Sequence, residues 1–269
     1  MFQTIKPGEQ NTLVNSIVLF MGAFTIAYNL AIGLHETGHV LAYLLAGEEM
    51  VEFVLNPFSW SWATGRQFNV FVLWGGVTFG QLFALVPYLW ARKSGSPLFL
   101  FLAKTLAASS LLINGIYLCL GALLNFGDGG SLVHMGLSPF IPVVSGSVYM
   151  LASLFFWTDL QPHLGLGAST PLKIRCMVIT GGIGPYMALI FIYNLRHNPG
   201  QLAIWGGLAG AGIAAAVGIA IAGRLFSGKT GSGSSAEVAA GRNACPVLVS
   251  GLLIIIAEFI IFGMPANPF

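Results

Sequence analysis

Thr25–Gly47 reads TIAYNLAIGLHETGHVLAYLLAG. Apolar residues run on both sides of five positions holding two histidines and a glutamate, His35-Glu36-Thr37-Gly38-His39. Glu36 is the sole formal charge between positions 12 and 46. An apolar run of that length predicts a membrane-spanning helix. At 1.5 Å per residue it is longer than one bilayer crossing, so it must tilt or project. The run continues through His35 to Leu45, so a cleaved signal peptide over residues 1–30 is not expected, although Lys6 precedes it.

Further apolar segments follow at about 68–91, 98–125, 139–158, 174–195, 201–226 and 246–263. The 269 residues are 56% hydrophobic and 7% charged, with a mean hydropathy of +0.82. A soluble domain carries about 25% charged residues. Too few charges are present to build a water-soluble surface, which excludes a cytosolic enzyme, a secreted domain and a disordered chain. A β-barrel is excluded because barrel strands alternate polar and apolar residues. The expected fold is an all-α polytopic membrane protein of about seven transmembrane helices, with a short membrane-associated β-hairpin after the first.

That hairpin is read from residues 50–67, MVEFVLNPFSWSWATGRQ. Val51, Phe53 and Leu55 alternate with Glu52, Val54 and Asn56, and Asn56-Pro57 is a turn signal. Trp60 and Trp62 suit a membrane interface. The Gly/Ser-rich stretch 227–245 reads as a flexible connector. In 206–223, Gly206 and Gly210 have the spacing that lets helices approach closely. Cys119, Cys176 and Cys245 are widely spaced in or beside apolar runs and read as small buried residues, not as a disulfide framework or metal site.

The net charge of +2 gives no reason to expect nucleic acid. Lys and Arg gather at segment ends. Seven spans place Lys6, Arg92, Lys93, Lys104, Lys173, Arg175, Arg224, Lys229 and Arg242 on one side, and Arg66 and Arg196 on the other. The positive-inside rule then puts the N-terminus in the cytosol, with the chain in the cell membrane and the histidine motif toward the outer face. Gly223–Thr230 matches the phosphate-loop pattern GxxxxGK[ST]. It lacks the preceding strand and following helix that pattern needs, so no nucleotide is expected.

His35-Glu36-Thr37-Gly38-His39 is an HExxH motif. Positions i and i+4 share a helix face, so both imidazoles can reach one Zn²⁺. Glu36, beside the first ligand, can take a proton from the water that zinc activates. Random order would give roughly 0.002 such matches in this composition. Three ionisable groups inside an apolar run each cost about 2.5–3.5 kcal/mol or more, which metal and hydrogen bonds would offset. Zinc needs a third protein ligand. Asp128, in Asn125-Phe126-Gly127-Asp128-Gly129-Gly130, falls at the end of the third span, on the same membrane side as His39, and its glycines permit close backbone approach. Glu258, in the last span, is the rival ligand. Asp159 falls on the opposite side, His134 is a candidate for a supporting contact, and His163 and His197 read as loop histidines.

These residues resemble the site-2 protease family of intramembrane zinc metalloproteases, which pairs HExxH on one transmembrane helix with an Asp-Gly motif two helices later. His35, Glu36 and His39 match the first motif, and Asp128-Gly129 matches the second. Residues 50–62 look like the family's membrane-associated hairpin. The resemblance covers about 12–138. The family commonly has Leu before Asp-Gly, where Gly127 stands. It often carries Gly-Pro-x-x-Asn on its second core helix, where this chain has Trp74-Gly75-Gly76-Val77-Thr78-Phe79-Gly80-Gln81. Gln81 or Asn114 would supply the missing polar contact to substrate. A minimal member is implied, without PDZ or CBS domain. Residues 1–138 would be a three-span metalloprotease core and 139–269 an accessory four-span bundle. The family implies a site nearer the cytosol, opposite to the charge count.

The expected function is hydrolysis of peptide bonds in membrane-spanning or membrane-bound proteins, within the lipid bilayer. His35, His39 and Asp128 would hold zinc and Glu36 would be the base. A strand near Val51, Phe53 and Leu55 would capture an extended substrate by β-addition, with Ser59, Ser61 and Thr64 helping to admit water. The alternatives are a non-proteolytic metal-binding transporter or receptor, and a zinc hydrolase of lipid amides or esters.

Overall fold

The structure is a computed structural model that describes residues 7–56, 58, 61–67, 69–197, 200, 212, 215–225 and 240–262, the side chains of 7–11, 240–242 and 258–262 excepted. Helix α1 spans Pro7–Ala46. Strands β1 (Met50–Val54) and β2 (Trp62–Gly65) follow, then α2 (Val70–Ser94), α3 (Pro97–Leu124), α4 (Gly127–His134) and α5 (Phe140–Leu160). A short 3-10 turn, Gln161–Leu164, leads to α6 (Leu172–His197), α7 (Ala215–Leu225) and α8 (Ala240–Phe262).

Among the described residues, five helices are long and apolar enough to cross a membrane: Thr12–Ala46, Val70–Ser94, Pro97–Leu124, Phe140–Leu164 and Leu172–His197. They coincide with the first five expected segments and make this an all-α membrane protein with a small β element. The sixth expected segment, 201–226, falls largely outside the described residues, as do Gly206, Gly210, residues 227–239 of the connector and residues 226–230 of the phosphate-loop match; residues 240–245, expected to be connector, instead form the start of α8. Gly223 to Leu225 lie in α7.

The surface is that of a lipid-facing protein. Leu151 and Phe155 on α5 are 68% and 71% exposed, an arrangement that water would penalise and hydrocarbon does not. The polar groups lie inside: His35, Glu36, His39, Gln81, Thr105, Asn114 and Asp128 are all buried. Cys119 is buried, but Cys176 is only half-buried and Cys245 is exposed. This corrects the expectation of three buried thiols: an apolar side chain suits a lipid-facing position as well as a core.

Local sequence explains where the helices stop. Asn69 caps α2, its side chain accepting from the Val72 N–H at 2.9 Å, and Gly95 ends it in the left-handed conformation. Ser96 caps α3 and Pro97 occupies its first turn, where no backbone N–H is missed. The hairpin forms as expected: β1 and β2 are antiparallel, pairing Glu52 with Thr64, Phe53 with Ala63 and Val54 with Trp62. The Trp62 indole N–H donates to Glu52 at 2.8 Å. Ser61 accepts from the Asn56 N–H at 2.9 Å, closing the connecting loop. Trp60 and Ser59 lie outside the described residues.

Two compact units share the chain. One comprises 27–156, with the hairpin, α2, α3, α4 and most of α5, together with the end of α8 from Glu258. The other comprises 7–26 and 157–257. The division falls inside α1 and α5. In the first unit α3 packs against α2 and α4, and Ala27, Ala31 and Ile32 of α1, Ala84 of α2 and Leu106 and Ile113 of α3 form a buried apolar cluster. In the second, Phe20 and Phe24 flank the buried Trp157, and Tyr186 meets Phe24 edge-on. The buried Arg175 guanidinium there donates to the Gln161 carbonyl oxygen and to Gly167 O.

Candidate metal centre

The candidate site lies wholly within the 27–156 unit. His35 and His39 are one turn apart on α1, their ring planes 88° apart and their Nε2 atoms separated by 3.2 Å. His35 Nδ1 is 2.7 Å from Asn114 Oδ1, and His39 Nδ1 is 2.8 Å from Val72 O. The Asn114 orientation is fixed by its amide nitrogen, which faces three acceptors: Val77 O, Gln81 Oε1 and Ser110 Oγ, each at 3.4 Å. Both rings therefore meet an acceptor at Nδ1 and must donate there. In the neutral ring this leaves a lone pair on each Nε2.

The third member arrives from α4. Asp128 Oδ2 is 3.1 Å from His35 Nε2, and Oδ1 is 3.5 Å from His39 Nε2. Oδ2 is buried and receives no hydrogen bond. Three lone-pair donors facing one another in a buried space repel unless a cation sits among them. A tetrahedral ion with bonds of about 2.1 Å holds its ligand atoms about 3.4 Å apart. The two Nε2 atoms at 3.2 Å are close to that edge; the carboxylate turns one oxygen to each ring, and one ligand atom from each of the three residues lies within 4.8 Å of the others. The group His35, His39 and Asp128 can hold a metal ion.

The chain matches no protein-family model, no curated protein and no solved structure. What the site can do is therefore argued from its own atoms.

Asp128 is delivered by a sharp reversal. Asn125 ends α3 at φ 61°, and α4 begins two residues later. α4 then lies so close to α3 that a Cβ on Gly129 would stand 2.2 Å from Leu118 O, which only glycine permits. Asp128 is in the first turn of α4, where the helix dipole favours a negative charge.

Space for the His39 ring comes from α2. A Cβ on Gly76 would fall 2.3 Å from His39 Nε2. Gly76→Ala is expected to displace the ring and to cut metal occupancy at least about ten-fold, comparable to losing an orienting contact. Metal analysis of the purified variant, with circular dichroism to verify folding, checks this. Asn114→Ala removes the acceptor that fixes the His35 tautomer. A loss of about 10–100-fold in metal affinity is expected, readable by competition with a chelating dye. Unchanged affinity would exclude an orienting role for Asn114.

Glu36 is buried beside the ligands, and the Ala63 N–H of β2 hydrogen-bonds its carboxylate. The hairpin thus reaches the one acidic group of the motif that is not a ligand. Of the residues expected to contact substrate, Val51 is 65% exposed and Phe53 half-buried on β1. Leu55 lies beyond the strand and packs beside α1, its Cδ1 3.7 Å from where a Gly33 Cβ would be. Gln81 and Asn114 are buried behind the His35 ring. Asn114 Oδ1 faces His35 Nδ1, and its amide nitrogen faces Gln81 Oε1.

Among the described residues, none of the other candidates joins the group of His35, His39 and Asp128. His134 is exposed at the far end of α4. Asp159 and His163 belong to the other unit. His197 ends α6, its ring stacked on Tyr193 at 4.5 Å. The side chain of Glu258 lies outside the described residues. Sequence reasoning missed three contributors. The Val72 carbonyl and Ala63 N–H are backbone groups, which no residue type signals. Tyr117 stands edge-on to His35 with ring centroids 5.2 Å apart. Its spacing of three from Asn114 on one helix is the signal that was available.

Proposed function

We propose that this protein is an intramembrane zinc metalloprotease that cleaves peptide bonds of membrane-spanning or membrane-bound proteins. One observation carries the reading: two imidazole nitrogens and a carboxylate, close enough together to hold one metal ion, converge beside a buried glutamate that ligates nothing. Three protein ligands leave a fourth position open, the pattern of a catalytic rather than a structural zinc site. Two imidazoles and a carboxylate are a donor set that suits zinc.

Bound zinc would polarise a water and the substrate carbonyl, bringing the pKa of the water toward about 7. The protein's own groups do the rest. Asn114 and the Val72 carbonyl hold both rings with Nε2 facing inward. Glu36 accepts the proton of the attacking water and later delivers it to the leaving nitrogen. A helical substrate hides its carbonyls in hydrogen bonds, so it must be extended at the cleaved bond. The two-stranded hairpin has strand edges to which an extended segment can add, and its Ala63 N–H already touches Glu36.

The reading is tested with the purified protein in lipid vesicles, using a panel of single-span peptides. Cleavage abolished by a zinc chelator and restored by zinc supports it. Cleavage indifferent to the chelator contradicts it. Metal flux across the vesicle without cleavage of any peptide would replace it with the transporter reading, and release of fatty acid from a lipid amide or ester would replace it with the lipid hydrolase reading.

A further inference from the structure

Hydrolysis at this site places negative charge on the oxygen of the scissile carbonyl, and a hydrogen-bond donor aimed there is commonly worth several kcal/mol. This inference rests on the peptidase reading. Cationic side chains of the described 27–156 unit are poor candidates. Arg66 is exposed and paired with Glu49 at 3.0 Å. Arg92 and Lys93 close the last turn of α2, about 16 Å beyond Gln81 at 1.5 Å per residue. Lys104 lies about 15 Å along α3 from Asn114 by the same rise.

Tyr117 is placed differently. It is one turn beyond Asn114 on α3, and its ring meets His35 at 81° with centroids 5.2 Å apart. Its phenol interacts electrostatically with both Glu36 and Asp128, and with Tyr28. Asn114 and the Val72 carbonyl occupy the Nδ1 side of the two rings. Tyr117 meets the His35 ring from the same helix as Asn114, one turn farther on. It is half-buried, while His35, Glu36 and His39 are buried. Together with Tyr28, Leu34 and Leu55 it packs on the apolar cluster of Ala27 and Ala31, forming a partly exposed border beside the ligands. Phenylalanine would fill the same space against His35. What tyrosine adds is an O–H donor on a ring packed against His35.

We propose that Tyr117 is a catalytic residue, its hydroxyl donating a hydrogen bond to the scissile carbonyl oxygen as that oxygen becomes negative. The water oxygen bonds to the carbonyl carbon while Glu36 takes one water proton. The π pair of the carbonyl moves onto its oxygen, where the Tyr117 O–H donates. The pair then returns, the C–N bond breaks, and Glu36 passes its proton to the nitrogen. The products are an amine and a carboxylic acid, and Tyr117 keeps its proton throughout.

The experiment compares wild type, Tyr117→Phe, Tyr28→Phe and Glu36→Gln in vesicles, each with its zinc content measured. A cleaved peptide and its phosphinic analogue, which carries tetrahedral anionic oxygens at the cleaved bond, are the two probes. Tyr117→Phe is expected to retain zinc and KM, to lose about 10²–10³-fold in kcat, and to bind the analogue weaker by a similar factor. Tyr28→Phe, one step farther from the ligands, is expected to stay within a few-fold of wild type. Glu36-dependent cleavage with kcat and analogue affinity unchanged in Tyr117→Phe overturns the assignment alone. Loss of zinc in Tyr117→Phe also overturns it, by showing that the hydroxyl serves metal retention. Absence of Glu36-dependent cleavage in wild type removes the peptidase reading, and this assignment with it.

Discussion

Glu36→Gln protein is expected to bind zinc as wild type does and to lose about 10⁴-fold in kcat, the upper end of what proton transfer by one side chain contributes. The upper end is expected because, in the proposed mechanism, one carboxylate would serve twice, first taking the water proton and then giving it to the leaving nitrogen. Glutamine keeps the size of the side chain and can still accept from the Ala63 N–H that hydrogen-bonds Glu36, so the hairpin contact survives. The ligand atoms of His35, His39 and Asp128 are untouched. Zinc content and turnover measured on the same preparation decide the matter. Turnover within ten-fold of wild type at full zinc content would remove Glu36 as the base.

Asp128→Ala is expected to act one step earlier, on the metal itself. Removing the carboxylate leaves two imidazole nitrogens 3.2 Å apart and deletes the one negative charge that can directly neutralise a divalent ion. An orienting partner of a ligand is worth about 10–100-fold in affinity; a ligand that also carries the charge should cost at least the upper figure. Folding should be spared, since the reversal into α4 depends on Asn125 and on the close packing of Gly129 against α3. Dialysis against graded zinc, followed by metal analysis, reads the shift. Wild-type affinity in Asp128→Ala would mean that another group completes the coordination, with Glu258 the first to examine.

The two variants probe what was most legible in the sequence. HETGH could be read because its spacing matches the helical repeat and because charge inside an apolar run needs compensation. Asp128 could be read because counting spans puts it on the side of His39, and the structure brings its oxygens to 3.1 and 3.5 Å of the two rings. The hairpin could be read from alternation at Val51, Phe53 and Glu52, with Asn56-Pro57 marking its turn.

The remainder was hidden for physical reasons. In lipid, hydropathy does not distinguish inside from outside: Leu118 is fully buried and Leu151 is 68% exposed, though each sits in an apolar helix. Cys245 was misplaced on the same ground. The partners of the histidines depend on how α1, α2 and α3 pack, and one of them is a main-chain carbonyl. Gln81 and Asn114 were noticed for their polarity, but only coordinates show that they stand behind His35. Tyr117 looked like one more aromatic in an apolar helix until its ring was found against the ligand.

X-ray absorption at the zinc edge of wild-type protein, purified and equilibrated with zinc, addresses the ligand set without needing a substrate. One zinc per chain is expected, with two imidazole nitrogens at about 2.0–2.1 Å, oxygen at about 2.0–2.2 Å and no sulfur. The imidazole signature should halve in His39→Ala. A chain that takes up no zinc, or that holds it through sulfur or without imidazole, would contradict the assignment of His35, His39 and Asp128 as its ligands.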